Sequence, residues 1–239
     1  MTTPPARANR TLSAALLALY GALFLACWLG LGPQTLAWSL NRALGVVAYV
    51  LLALSVTFGA LLGSRASPPW LSRAQQGGWH GLISGAALLL GGLHGLLLTV
   101  DAQSPQPLLA VLLPGASTVL PLAVGLGILG LYGLLVVWAS TRLRARLSPR
   151  IWRALHLGAY PSFALLTAHG LLAGSDGLTV LYGVSLGAVV YTFGLRLLDR
   201  RRPAGQPRAL AAPLTPPAIP AAATDPTLSP PVSPPRSLP

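Results

Sequence analysis

The chain has no lysine, no glutamate, a single cysteine and only four aspartates in 239 residues. Asp, Glu, Lys and Arg together make up 8% of it, against about 25% in a soluble globular domain. That scarcity excludes a surface kept in solution by charge. One cysteine, Cys27, excludes an intramolecular disulfide and a covalent haem attachment of the C-x-x-C-H kind, and leaves the thiol to act as a small apolar residue. There is also no strand-helix alternation, and the G-x-G-x-x-G spacing at Gly125, Gly127 and Gly130 falls inside an apolar run instead of after a strand, so no flavin or nicotinamide domain is expected within these residues.

What fills the chain is apolar: 53% of it is hydrophobic, and 26 glycines accompany those residues. A membrane span needs about 20 mostly apolar residues. Six mostly apolar runs approach that length, at roughly 11–31, 43–63, 80–100, 118–140, 152–173 and 178–198, with Arg153 and Arg196 near run ends as their only charged residues. The expected fold is therefore an all-α integral membrane bundle of six transmembrane helices over 11–200, preceded by a short segment 1–10. Leu108 to Leu113 is apolar but bounded by Pro107 and Pro114, and is read as an interfacial piece of a long loop. The first run exceeds the 7–15 residues of a signal-peptide core and no A-x-A site follows it, which favours an uncleaved helix. Residues 201–239 are rich in Pro, Ala, Ser and Thr. They offer no pattern that could bury a core, and a disordered tail is expected.

Charge then fixes the orientation. All 16 basic residues are Arg. In a six-span arrangement every one except Arg42 falls on the same side as the two termini, while Asp101 and Asp176 fall opposite. Cytoplasmic loops accumulate Lys and Arg, so both termini are placed in the cytoplasm of a multi-pass cell-membrane protein. The net charge of +12 is thereby assigned to topology, and nucleic acid loses its support as a partner. The expected partners are the bilayer and other proteins or small molecules at its two faces.

The four histidines carry the chemistry. His80 and His94 lie in the third run, 14 residues apart; His156 and His169 lie in the fifth, 13 apart. Ionisable side chains at membrane depth are costly and point to function. At 1.5 Å per residue each helix offers one imidazole near the cytoplasmic edge and one about 20 Å further out. The two helices run parallel, so His80 and His156 share one depth and His94 and His169 the other. Two facing pairs suit two haems with axial imidazoles. A tetrahedral zinc site needs three or four converging ligands, which neither depth supplies. A lone histidine in an apolar helix is ordinarily a hydrogen-bonded core residue, but here every histidine in the chain falls into a depth-matched pair. Fourteen residues keep His80 and His94 on one face; thirteen leave His156 and His169 about 140° apart on a straight helix. A distortion near Pro161 is therefore expected, since proline removes a helical hydrogen bond.

These residues resemble the ferric reductase-like transmembrane domain family, whose relatives include the membrane domains of NADPH oxidases and ferric reductases. The resemblance covers about residues 38–198. It rests on Arg42-x-Leu44-Gly45 with Ala48-Tyr49, on Trp79-His80 through His94, and on Trp152-Arg153-Ala154-Leu155-His156 with His169-Gly170. It implies two non-covalent b-type haems, ligated by His80 with His156 and by His94 with His169, with Arg42, Arg73 and Arg153 as candidate partners of the haem propionates. It also implies a membrane cytochrome, an oxidoreductase component fed by a separate electron donor, a flavoprotein or quinol, and delivering to an extracytoplasmic acceptor such as ferric iron. The rival reading is a non-redox polytopic membrane protein, for transport or complex assembly, whose histidines are structural or line a metal path. Such paths usually include acidic or polar relays, and no Asp or Glu lies deep in any run.

Overall fold

A computed structural model describes residues 6–64, 72–174 and 177–201, and every regular element in them is helical. The order is α1 (Ala6–Trp28), α2 (Leu36–Leu62), α3 (Arg73–Leu97), α4 (Leu108–Leu112), α5 (Pro121–Arg142), α6 (Pro149–Leu157), α7 (Ala159–Ala173) and α8 (Thr179–Arg201). The expected tail, Arg65 and Asp176 lie outside the described residues.

Four stretches are long and apolar enough to cross a membrane: α2, α3 with its one-turn extension to Val100, α5, and α8 up to Asp199. The first expected span contributes a shorter apolar helix, Ala14–Trp28. The fifth is divided. Pro161 has no N–H to give the carbonyl of Leu157, and the chain tightens at that point. The Gly158 amide bonds back to Leu155 at 3.0 Å, and helical bonding resumes with Ser162 donating to Gly158 at 3.1 Å. The break is thus at Gly158, one turn before the proline.

The third helix starts seven residues earlier than its apolar run. Ser72 and Gln75 form a reciprocal cap, Gln75 N–H to Ser72 Oγ at 3.3 Å and Ser72 N–H to Gln75 Oε1 at 2.9 Å. Such a capping box satisfies two of the amides that a helix start leaves open, and it places His80 well inside the helix. Ser148 caps α6 in the simpler way, accepting from Ile151, with Pro149 as its first residue.

Helix α2 is the hub, packed along α3 and α8 and touching α7, while α5 packs along α7 and α6. The core contains Tyr49, Leu52, Ala53 and Val56 of α2, Ala87 of α3, Phe163 of α7 and Val189 of α8. Tyr49 stacks on Phe163 at 5.7 Å between ring centroids and meets Tyr182 edge-on at 4.8 Å. Its hydroxyl pairs with Thr167 at 3.1 Å. The crossing of α5 and α7 is set by small residues, as is usual where lipid supplies no hydrophobic drive between helices. A Cβ on Gly130 would stand 2.6 Å from Leu166, and one on Gly133 would fall on the Ser162 hydroxyl.

This crossing gives a test. Gly133→Ala should lower stability by about 1–3 kcal/mol, the usual cost of overpacking. Gly133→Ala with Ser162→Ala, which removes the obstructing oxygen, should recover part of that loss in detergent thermal denaturation. Equal midpoints for the single and double variants would contradict the packing described.

Candidate functional site: two facing imidazole pairs

The fold brings the four histidines together two by two. His80 of α3 faces His156 of α6 with ring centroids 6.1 Å apart and planes at 72°. His94 of α3 faces His169 of α7 at 6.0 Å and 75°. The break at Gly158 is what lets two residues thirteen apart both reach α3.

Three of the four imidazoles are held from behind by a backbone carbonyl of a neighbouring helix. His94 Nδ1 is 2.8 Å from the Asn41 carbonyl, His80 Nδ1 is 3.0 Å from that of Ser55, and His169 Nδ1 is 2.7 Å from that of Ala123. A carbonyl only accepts, so Nδ1 carries the proton and Nε2 keeps its lone pair. The Asn41 side chain donates in turn to the His94 carbonyl at 2.7 Å; the Ser84 hydroxyl donates to the His80 carbonyl and meets that of Ser55, both at 2.6 Å, and Ser55 Oγ lies 3.3 Å from His80 Nδ1.

A glycine stands four residues after each of these carbonyls: Gly45 after Asn41, Gly59 after Ser55, Gly127 after Ala123. Helical Cβ atoms lean toward the N-terminus, over the preceding turn, and so a side chain at that place would cover the carbonyl. A Cβ on Gly45 would lie 2.9 Å from the His94 ring, on Gly59 3.0 Å from His80, and on Gly127 2.8 Å from His169. Asn41 and Ser55 are 14 residues apart, as are Gly45 and Gly59, matching the spacing of His80 and His94 across the interface. Sequence reasoning used Gly45 only as part of a family motif and read Gly59 and Gly127 only as allowing close helix approach. Their repeat at the histidine spacing was the signal that identifies them.

The spacing within each pair is itself informative. A metal–imidazole bond of about 2.0 Å on each side, with about 1.1 Å from each ring centroid to its nitrogen, puts coaxial centroids about 6.2 Å apart. Among the described residues no three His, Cys, Asp or Glu side chains converge. Two nitrogens per site leave a metal's remaining positions to a ligand brought with it, and a porphyrin supplies four. Around His94 and His169 lies a cavity of about 230 Å³. Gly91, Gly95, Gly170 and Gly174 keep its walls open, and Arg42 and Trp38 also line it. The residues fit axially ligated haem.

No family model, curated protein or solved structure matches this chain. The site therefore stands on its own geometry.

The arginines are less uniform than the sequence suggested. Arg42 lines the cavity of His94 and His169 with its guanidinium 5.7 Å from the Trp38 ring. Arg73 instead donates to the carbonyls of Leu62 and Ser64, at the C-terminal end of α2, where a cation suits the helix dipole. Arg153 donates to Pro149 at 2.9 Å on the exposed side of α6. The cations within electrostatic reach of His156 are Arg196 and Arg144, which sequence reasoning assigned only to topology. Arg196 bonds the Tyr160 hydroxyl at 3.4 Å. Arg144 lies 4.4 Å over Trp152, which stacks on His156 at 5.0 Å.

The tautomer assignment can be checked directly. In ¹⁵N-histidine-labelled protein in bilayers, His80, His94 and His169 should each resonate as the Nδ1–H form, and Gly127→Ala should shift His169 alone. Nε2–H signals for these three would contradict the anchoring.

Proposed function

We propose that this chain is a di-haem b membrane cytochrome of the ferric reductase-like kind, spanning the cell membrane six times with both termini in the cytoplasm. One observation carries the reading: two imidazole pairs, each at the centroid spacing of axial haem ligands, with Nδ1 of His80, His94 and His169 spent on a carbonyl of a neighbouring helix and their Nε2 left free to ligate. Four helices long and apolar enough to cross a membrane support the membrane setting. The added spans are α1 and the combined α6 and α7, and with them the positive-inside pattern of the arginines holds on one side.

In this reading His80 and His156 hold the inner haem, and His94 and His169 the outer one. Haem supplies reversible one-electron chemistry. The protein's own part is to orient the four imidazoles, fix their tautomers and keep the space between the two levels dry. Along α3 the levels are about 21 Å apart. The packed layer of Tyr49, Leu52, Ala53, Val56, Ala87 and Phe163 lies between them in the register of each helix. Its members are aromatic and aliphatic, with no carboxylate among them. Arg42, which lines the cavity of His94 and His169, would pair with propionates of the outer haem, its planar fork suiting a carboxylate. Electrons would enter from a cytoplasmic or membrane donor, a flavoprotein or quinol, and leave to an extracytoplasmic acceptor such as ferric iron.

Protein purified from haem-replete cells should show b-type Soret and alpha bands that sharpen on dithionite addition, with two haems per chain by pyridine haemochrome. His94→Ala or His169→Ala should remove the outer haem and His80→Ala or His156→Ala the inner. A colourless preparation, or full haem content in all four variants, would overturn the reading.

A further inference from the structure

The inner site breaks the pattern at one residue. Continuing the socket of α5 by 14 residues carries Ala123 to Val137 and Gly127 to Thr141, which stand behind His156 as the others stand behind their histidines. Where three sockets have glycine, this one has threonine. Its hydroxyl donates to the Val137 carbonyl at 3.1 Å and sits 3.5 Å from His156 Nδ1. Ser140 also donates to that carbonyl, at 2.7 Å, further occupying the acceptor. His156 therefore meets a neutral hydroxyl at the outer limit of hydrogen bonding, while its three counterparts meet carbonyls at 2.7–3.0 Å.

Resting on the di-haem reading above, we infer that Thr141 is a positioning residue that makes His156 the least strongly donating and most loosely held of the four ligands. A strong acceptor behind a ligating imidazole raises its basicity and fixes its orientation, which favours the ferric state. Withholding that acceptor, beside the guanidinium groups of Arg144 and Arg196, moves the inner haem toward easier reduction than a carbonyl socket would give. That is the useful direction for the haem nearest a cytoplasmic donor, because it favours electron entry.

The test is a redox titration of the full chain with both haems resolved, the inner one assigned by its absence in His80→Ala. Ser140→Ala with Thr141→Gly recreates the socket of the other three histidines. It should lower the inner midpoint and leave the outer one in place; a tenfold gain in the ferric-to-ferrous binding ratio corresponds to about 59 mV for one electron. Thr141→Val should raise the inner midpoint or release that haem, and Thr141→Ser should restore the wild-type value. Both midpoints unchanged in the Gly and Val variants, or both moving together, with two haems still bound, would overturn this inference alone. Absence of haem in the unmodified chain would overturn the reading beneath it.

Discussion

The hydrogen bond from an imidazole Nδ1 to a backbone carbonyl of the next helix is the contact on which the rest of this structure depends. A helix carbonyl is already committed to the amide four residues on, and only its second lone pair is open. To reach it a ring must enter the groove where the side chain of residue i+4 would lie, so the residue there must be glycine. One requirement thus fixes three things together: the distance between helices, the register between them and the nitrogen left free for a ligand. Helices α2 and α5 are built as the backing of the site, and α3, α6 and α7 as its face.

From that contact the larger architecture follows. Because α3 carries its two histidines on one face, α2 repeats its socket at the same interval and both helices run without interruption. The partner strand of helix cannot do this with a spacing of thirteen, and it is divided between α6 and α7. Proline removes one amide and glycine takes the bend, at a place where Ser162 recovers the bonding through Gly158. The layer between the two histidine levels is filled by aromatic and aliphatic side chains. It separates the two levels, while the sockets hold three of the four rings in place.

Much of this was legible in the residues. Scarcity of charge and the apolar runs gave a helical membrane protein, and the histidine intervals gave the pairing that the fold brings about. The need for a distortion between His156 and His169 followed from 100° per residue. Its place did not, because Pro161 marks the missing amide while the chain bends at the residue that can absorb it. The early start of α3 was hidden by a polar first turn whose capping box lies outside the apolar run. The sockets were missed for a different reason: glycine is common in membrane helices, and only the partner helix distinguishes a glycine that admits a ring from one that merely allows close approach. Arg196 and Arg144 were counted as topology because neighbours distant in sequence, or across a turn, decide what a guanidinium faces. Arg73 was weighed for a propionate, whereas its bonds go to the end of α2.

The central claim is that two haems are each clamped between two imidazoles whose planes are nearly perpendicular, at 72° and 75°. Electron paramagnetic resonance of the oxidised protein at liquid-helium temperature reads this most directly, since crossed axial planes leave the ferric d orbitals almost degenerate. The account predicts two low-spin ferric signals of large anisotropy, one lost in His94→Ala and the other in His80→Ala. A high-spin signal from the unmodified protein, or the modest anisotropy of parallel imidazoles, would contradict it.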